Sequence, residues 1–423
     1  MKTIFSALFA GAAMLLLAGC LSVETVPAAE TSPAAPAGNA VENPVKKEAE
    51  KAAPARPSRG AAEEEAIRFA GPGRNPVVVF DAGFSSKPAD PECGGAMKQL
   101  ADAGYTELFR FSCDPKLDIP GNAAKLHEFL SGLRAQLQKK YAEKYPKTKC
   151  DIRFDLFAPG VSGLLARYYL RYGGQLLPEN GISLPLLDWR GAGLVDKVIL
   201  VGTPSDGTLG VFAEMVGRAL PDPAAPVLSG VPAAASPAAY QMLPGVNGGT
   251  VHYADAPDGP ALDLFDPAVW SANRWGLADP AVQAASKDAA ERLDLYLRRA
   301  RQFRTAMDTP AQPPKNVALF LFVGNGVPTA SRLLVDRRTG RLSIADYAPG
   351  DGRATVASAR FDRRGGKAEP PFSQSPILWQ AVTHLPVGYA DYFRSDSFWD
   401  DVRYYLLMFP TDRQRELYHL NRK

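Results

Sequence analysis

The sequence predicts an α/β fold, a mostly parallel sheet flanked by helices on both faces. Three observations carry this reading. Short runs that are almost wholly apolar, at Pro76–Phe80, Val198–Val201 and Asn316–Val323, read as strands buried on both faces, which is how strands look when helices cover a parallel sheet on each side. Between them, apolar residues recur every three or four positions, the period of an amphipathic helix. Finally, Leu156–Gly174, read as LFAPGVSGLLARYYLRYGG, has the layout of a strand, a tight turn and a helix.

Each element follows in order. Pro76–Phe80 (PVVVF) is the first strand, and a turn at Asp81–Ser86 leads to a helix near Gly95–Ala103. Tyr105–Phe111 reads as the next strand. Leu126, Phe129, Leu130, Leu133, Leu137 and Tyr141 then mark one face of a long helix. Ile152–Phe157 runs into the tight turn, after which Leu164, Leu165, Tyr168, Tyr169 and Tyr172 form the inner stripe of a helix. Val198–Val201 is another buried strand, ending in Gly202-Thr203-Pro204. From about residue 220 to 314 the pattern changes to Pro- and Ala-rich loops, an aromatic block and a helix bearing Leu293, Leu297, Ala300, Phe303 and Met307. This insertion reads as a cap over the C-terminal edge of the sheet, where α/β proteins bind their ligands. Asn316–Val323 returns to the core as a strand, Ser331–Tyr347 reads as a hairpin turning at Thr339-Gly340, and Phe398–Leu407 is the closing helix.

The N-terminus has its own logic. Lys2 precedes an apolar run, Ile4–Leu17, too short to span a bilayer and of the length of a secretory h-region. It ends in Leu17-Ala18-Gly19-Cys20, which resembles the bacterial lipoprotein cleavage box. The resemblance implies removal of residues 1–19 and acylation of Cys20; an ordinary signal peptide that ends in Cys is the alternative. Two acyl chains, at about 0.8 kcal/mol per buried methylene, hold a protein stably on a membrane. The expected partner is therefore a membrane, engaged through lipidated Cys20. Leu21, where Asp would stand otherwise, resembles outer-membrane sorting, so the expected location is the bacterial cell envelope, on the outer membrane facing the periplasm. Residues 20–66, rich in Ala, Pro, Glu and Lys, bury too little apolar surface to offset their chain entropy and read as a disordered tether. Residues 67–423 form the domain, ample for a large core with a cap.

A net charge of +3, spread along the chain, gives no reason to expect nucleic acid as a partner. No Cys-His cluster has metal-ligand spacing, so neither a metal nor another cofactor is expected. In an oxidising compartment one pair among Cys93, Cys113 and Cys150 could be bridged; Cys93 with Cys113 is slightly favoured, both lying near the ends of early elements.

The strand–turn–helix junction matters most. In an α/β-hydrolase it is the nucleophile elbow, where G-x-S-x-G holds a strained Ser at the strand tip. Here that frame falls on Ala158-Pro159-Gly160-Val161-Ser162. From Gly163 onward, GLLARYYLRYGG resembles the helix after the elbow in lecithin:cholesterol acyltransferase-like lipases and acyltransferases, and that family's GHSMGG block lines up with APGVSG. Further segments resemble the family in the same order: ILVGTPSDG (Ile199–Gly207), SPAAYQMLPG (Ser236–Gly245), DLFDPAVWSANRWGLADP (Asp263–Pro280), VGNGVPTA (Val323–Ala330) and APGDGRATVASA (Ala348–Ala359). The resemblance implies an α/β-hydrolase fold, ester or acyl-transfer chemistry in the family, and a lipid or acyl ligand.

That chemistry needs a serine, a histidine to activate it, an acid to orient the histidine, and N–H donors for the oxyanion. The acid position falls on Asp351, in the family's GDG segment, where a plain turn residue is the alternative. The nucleophile position falls on Gly160, which suits the turn but carries no attacking atom. Ser162 is the nearest hydroxyl, and reads better as the small residue after the apex or as a helix-capping residue. The histidine position falls on Tyr389, a poor base near neutrality because its unperturbed pKa is about 10. His384, upstream by five residues, reaches the site only through a rearranged loop. His127, His252 and His419 read as surface or packing residues, and Asp81 as a turn residue. An oxyanion-type pocket of backbone donors is expected at Gly83, Phe84 and Val161. Three functional readings stay open: a catalytically impaired homologue that binds a lipid, acyl or protein ligand; an active esterase, phospholipase or acyltransferase using Ser162, Asp351 and His384; and a structural envelope lipoprotein.

Overall fold

The computed structural model describes residues 74–81, 91–146, 151–217, 220, 233–245, 250–361 and 377–415. The chain opens with β1 (Val77–Phe80), α1 (Pro91–Asp102), β2 (Leu108–Phe111), α2 (Ile119–Lys144), β3 (Phe154–Pro159), α3 (Ser162–Tyr172) and β4 (Val195–Val201). A largely helical stretch follows, comprising α4 (Leu209–Met215), α5 (Pro237–Gln241), β5 (Val251–Tyr253), α6 (Pro267–Asn273), α7 (Pro280–Ala285) and α8 (Ala289–Asp308). It closes with β6 (Ala318–Gly324), β7 (Val327–Val335), β8 (Leu342–Gly350), α9 (Val356–Arg360), β9 (Ala381–Leu385) and α10 (Asp396–Arg403).

Six strands pair in the order β2-β1-β3-β4-β6-β9, all parallel. The apolar runs explain why: β1, β3, β4 and β6 are buried at every position, so each must be covered on both faces. Alternate residues feed two separate cores. Val78, Leu156, Val198 and Leu321 join the helices α2, α3 and α8 on one face. Val79, Phe157, Ile199 and Phe322 join α1 and α10 on the other. Each fully buried Leu, Val or Phe contributes about 1.5–3 kcal/mol, so the two cores account for much of the fold. Local signals set the helix starts: Asp118 caps α2 by accepting from Gly121 N–H at 2.8 Å, and Ser395 caps α10.

The C-terminal ends of the strands stand level, since Pro159 pairs with Val201 and Val201 with Phe322. With an elbow after central β3, and the acid and histidine positions on connections after β6 and β9, the chain has the α/β-hydrolase fold. The expected hairpin is β7–β8, antiparallel, with β5 adding parallel to β7 in a second, three-stranded sheet. The closing helix is shorter than the sequence indicates: after Arg403 it widens into a π-type turn over Tyr404–Met408.

At the opposite, N-terminal end of the sheet lies a buried ionic group. Asp155 and Lys197 are 1% exposed and Asp196 is fully buried. Asn75 Nδ2 donates to Asp155 Oδ1 and to Asp196 Oδ2, each at 2.9 Å, Arg413 Nε donates to Asp196 Oδ1 at 3.1 Å, and Lys197 Nζ donates to the Leu406 carbonyl at 2.8 Å.

One expectation is corrected. Cys93 and Cys113 are both buried and no bridge joins them; Cys93 belongs to the core on the α1 face and Cys113 to the core on the α2 face. The sheet itself stands between them. Cys150 lies outside the described residues, as do Cys20, the signal segment and the tether. Among the described residues no helix is long and apolar enough to cross a membrane, and no group of three His, Cys, Asp or Glu side chains could hold a metal ion.

Candidate functional site

The turn between β3 and α3 is built as an elbow. Gly160 has φ +57°, in the left-handed region that side chains enter only with strain. Its N–H donates to Val201 O at 2.7 Å, which fixes the apex beside the end of β4. Val161 follows, 3% exposed, as the residue before α3. Gly83 and Phe84 lie outside the described residues, so the oxyanion-type pocket is seen on its Val161 side alone.

Asp351 and Tyr389 meet at that same edge. Tyr389 N–H donates to Asp351 O at 2.8 Å. A methyl group on Gly202, the residue after β4, would stand 2.5 Å from Asp351 Oδ2 and 2.9 Å from Tyr389 Cδ2. Asp351 and Tyr389 therefore pack against the tip of β4, whose Val201 O accepts from the Gly160 N–H.

Their side chains are committed elsewhere. Asp351 is 4% exposed, and Oδ1 accepts from the N–H groups of Arg353 and Ala354 at 2.9 and 2.8 Å, while the Tyr392 hydroxyl donates to Oδ2 at 3.4 Å. Burial pushes its carboxyl up to about 6, against the pull of those N–H donors. Tyr389 is 3% exposed, and its hydroxyl donates to Glu92 Oε2 at 3.2 Å. Burial, and then the Glu92 charge, push that phenol well above its ordinary value. The Arg353 guanidinium lies over the Tyr389 ring, 3.9 Å from its centroid. Tyr389 is thus a buried, neutral phenol that carries no basic nitrogen.

The other candidates are not brought together. Ser162 is fully buried at the start of α3, and its hydroxyl donates to Pro159 O at 2.7 Å. His384 lies exposed on β9, three strands from β3 in the sheet order; at about 4.8 Å per strand that is roughly 14 Å. Partial burial, then Arg360, hold its pKa below the ordinary value. No hydrogen bond can link Ser162 to His384 across that span.

Two of the remaining histidines are held by local polar contacts. His127 Nδ1 is 3.2 Å from the Tyr169 hydroxyl and His252 Nδ1 is 3.0 Å from Gly259 O; His419 lies outside the described residues. Asp81 is buried and accepts from Arg110 Nε at 2.7 Å, a fuller engagement than a turn residue needs. Glu92, Arg353 and Tyr392 escaped the reading of the sequence. Only spacing could have flagged two of them: Arg353 follows Asp351 by two residues and Tyr392 follows Tyr389 by three.

No family model matches the chain, and no curated protein matches it. Its chain path is similar to solved structures at low identity. The Tle4–Tli4 complex matches at 13% identity and a TM-score of 0.46, over 82% of this chain and 75% of that one. Bacillus licheniformis lipase BlEst2 in mature form matches at 14% identity and 0.32, over 76% and 86%. Phospholipase PlaB from Legionella pneumophila matches at 11% and 0.29, over 69% of this chain and 48% of that one.

Proposed function

We propose that this chain is a lipid-anchored α/β-hydrolase homologue, related to the lecithin:cholesterol acyltransferase-like enzymes, that has lost serine-hydrolase catalysis and acts by binding a lipid, acyl or protein ligand. One observation carries the reading: at the elbow apex stands Gly160, with φ +57° and no side chain. Acyl transfer through a covalent intermediate needs an attacking atom at that point and a base beside it. Tyr389, held by Glu92, supplies no base. The resemblance to acyltransferase segments supplies the ligand class, and Leu17–Cys20 supplies the anchor.

The test is chemical. Purified protein is expected to give no turnover of short or long p-nitrophenyl esters and no labelling by a fluorophosphonate probe. Labelling that disappears in Ser162→Ala would overturn the proposal in favour of an active hydrolase. The double variant Gly160→Ser with Tyr389→His asks how much machinery persists: esterase activity gained there would mean that only the two substituted positions separate this chain from a working enzyme.

A further inference from the structure

A second site lies at the far end of the β7–β8 hairpin. Asp351 follows the last residue of β8, whereas the hairpin turn is eight residues along the ladder from it, roughly 27 Å at about 3.4 Å per residue. The turn faces the end of α6 across a cleft of about 520 Å³, within the usual size range of small-molecule sites.

Three guanidinium groups line this cleft, from Arg274, Arg337 and Arg338, against one carboxylate, Asp279. Asp279 is engaged, accepting from Ala281 N–H at 2.8 Å at the start of α7. Arg337 is also matched: its Nε donates to both oxygens of Asp255 at 3.0 and 2.9 Å, and its guanidinium stacks on Tyr253. Arg274 and Arg338 make no ion pair among the described residues, although the Asp336 carboxylate acts on Arg338 through space. At the inner wall Trp275 is 3% exposed and its indole N–H has no acceptor among the described residues. Gly340 stands in front of it, so that a side chain there would lie 3.8 Å from Nε1.

The backbone that carries the two arginines is set before any ligand arrives. Asp336 Oδ1 accepts from the N–H groups of Arg338 and Thr339, at 3.0 and 2.7 Å, which pins the hairpin turn. Asn273 Nδ2 donates to Tyr253 hydroxyl and to Val269 O, pinning the turn that presents Arg274. Two guanidinium groups presented from separate elements into one cleft, beside a buried indole N–H with no acceptor among the described residues, fit an anion with several oxygens.

We propose that this cleft binds a phosphate group, either free or on a phospholipid headgroup, held by Arg274 and Arg338 with Trp275 Nε1–H at its floor. The inference is independent of the state of the elbow. The five tryptophans give separate indole N–H signals in a nitrogen-15 spectrum of the full chain. Titrated inorganic phosphate is expected to move one of them saturably, the one missing from Trp275→Phe. Arg274→Glu and Arg338→Glu, both changes of exposed side chains, are each expected to weaken the apparent affinity tenfold or more without changing the melting temperature. Glycerol phosphate that competes with phosphate, without preferential flotation on phosphatidylglycerol over phosphatidylcholine vesicles, identifies a soluble ligand. Preferential flotation lost in the Arg274→Glu/Arg338→Glu double variant identifies a headgroup. The proposal is overturned if no indole signal moves up to about 10 mM phosphate, well past millimolar affinity, or if the double variant responds as the parent does.

Discussion

The Tyr389 hydroxyl donates to Glu92 Oε2 at 3.2 Å, so the residue at the histidine position ties the loop after β9 to the first turn of α1. Tyr389→Phe is expected to cost about 1.5 kcal/mol, the scale of a hydrogen bond to a charged group. Urea unfolding measures it, and a loss below about 0.3 kcal/mol, under the usual range for any such bond, would contradict the assignment.

Gly160 is retained for its backbone. Both Gly160→Ala and Gly160→Ser place a side chain at φ +57°, and both are expected to lose about 1–2 kcal/mol. Equal losses by denaturant unfolding would identify strain as the cause. A much smaller loss for Ser than for Ala would instead mean that the hydroxyl finds a partner at the apex.

Asp351 makes stability depend on pH in a defined direction. Its carboxyl, at about 6 in the fold against 3.8 in an unperturbed chain, holds a proton when the unfolded chain has lost it, so stability falls as pH rises through the window from about 4 to 6. The whole effect is of order 3 kcal/mol. Asp351→Asn lacks this titration, and its stability relative to the parent is expected to rise between pH 4 and pH 7. A flat difference curve across that range would refute the sign.

The Ser162 hydroxyl is tied into the turn, donating to Pro159 O at 2.7 Å. Ser162→Ala removes the bond to Pro159 O and is expected to cost about 1 kcal/mol, with no change in probe labelling. Calorimetry and gel fluorescence read the two outcomes separately.

The ionic group under the sheet couples Asp155 to Lys197. Burial pushes Asp155 up to about 7, with Lys197 pulling it back, and burial lowers Lys197 in turn. Lys197→Met removes the bond from its ammonium to Leu406 O and the charge that offsets Asp155, and is expected to cost about 1.5–3 kcal/mol, the scale of a hydrogen bond to a charged group. Adding Asp155→Asn should recover 1 kcal/mol or more, a coupling that a double-mutant cycle on urea unfolding detects.

Much of this fold could be read from the chain because its strands are apolar on both faces. VVVF, VILV and ALFLFV leave no other assignment, and the periodic leucines of α2 are equally plain. The elbow was legible for a different reason, since its turn needs a glycine at a fixed place between a strand and a helix. Distance in sequence hid the rest. Glu92 and Tyr389 are 297 residues apart, and neither has a pattern that names the other. The expected Cys93–Cys113 bridge failed on side-chain direction, because nearness along the chain says nothing about which face of a sheet a residue enters. The three residues of β5 are too few to reveal a parallel pairing with β7.

Lys197 draws a further consequence from its bond to Leu406, 209 residues downstream. During synthesis the ammonium in the central strand has no carbonyl to meet until Leu406 has been made, and Asp196 awaits Arg413 in the same way. Helices and early strands can assemble as they emerge from the ribosome, but the sheet is sealed from below last. Any truncation before residue 406 leaves a cation stranded in the interior, so the strand that lies deepest in the sheet is held by residues more than two hundred positions away.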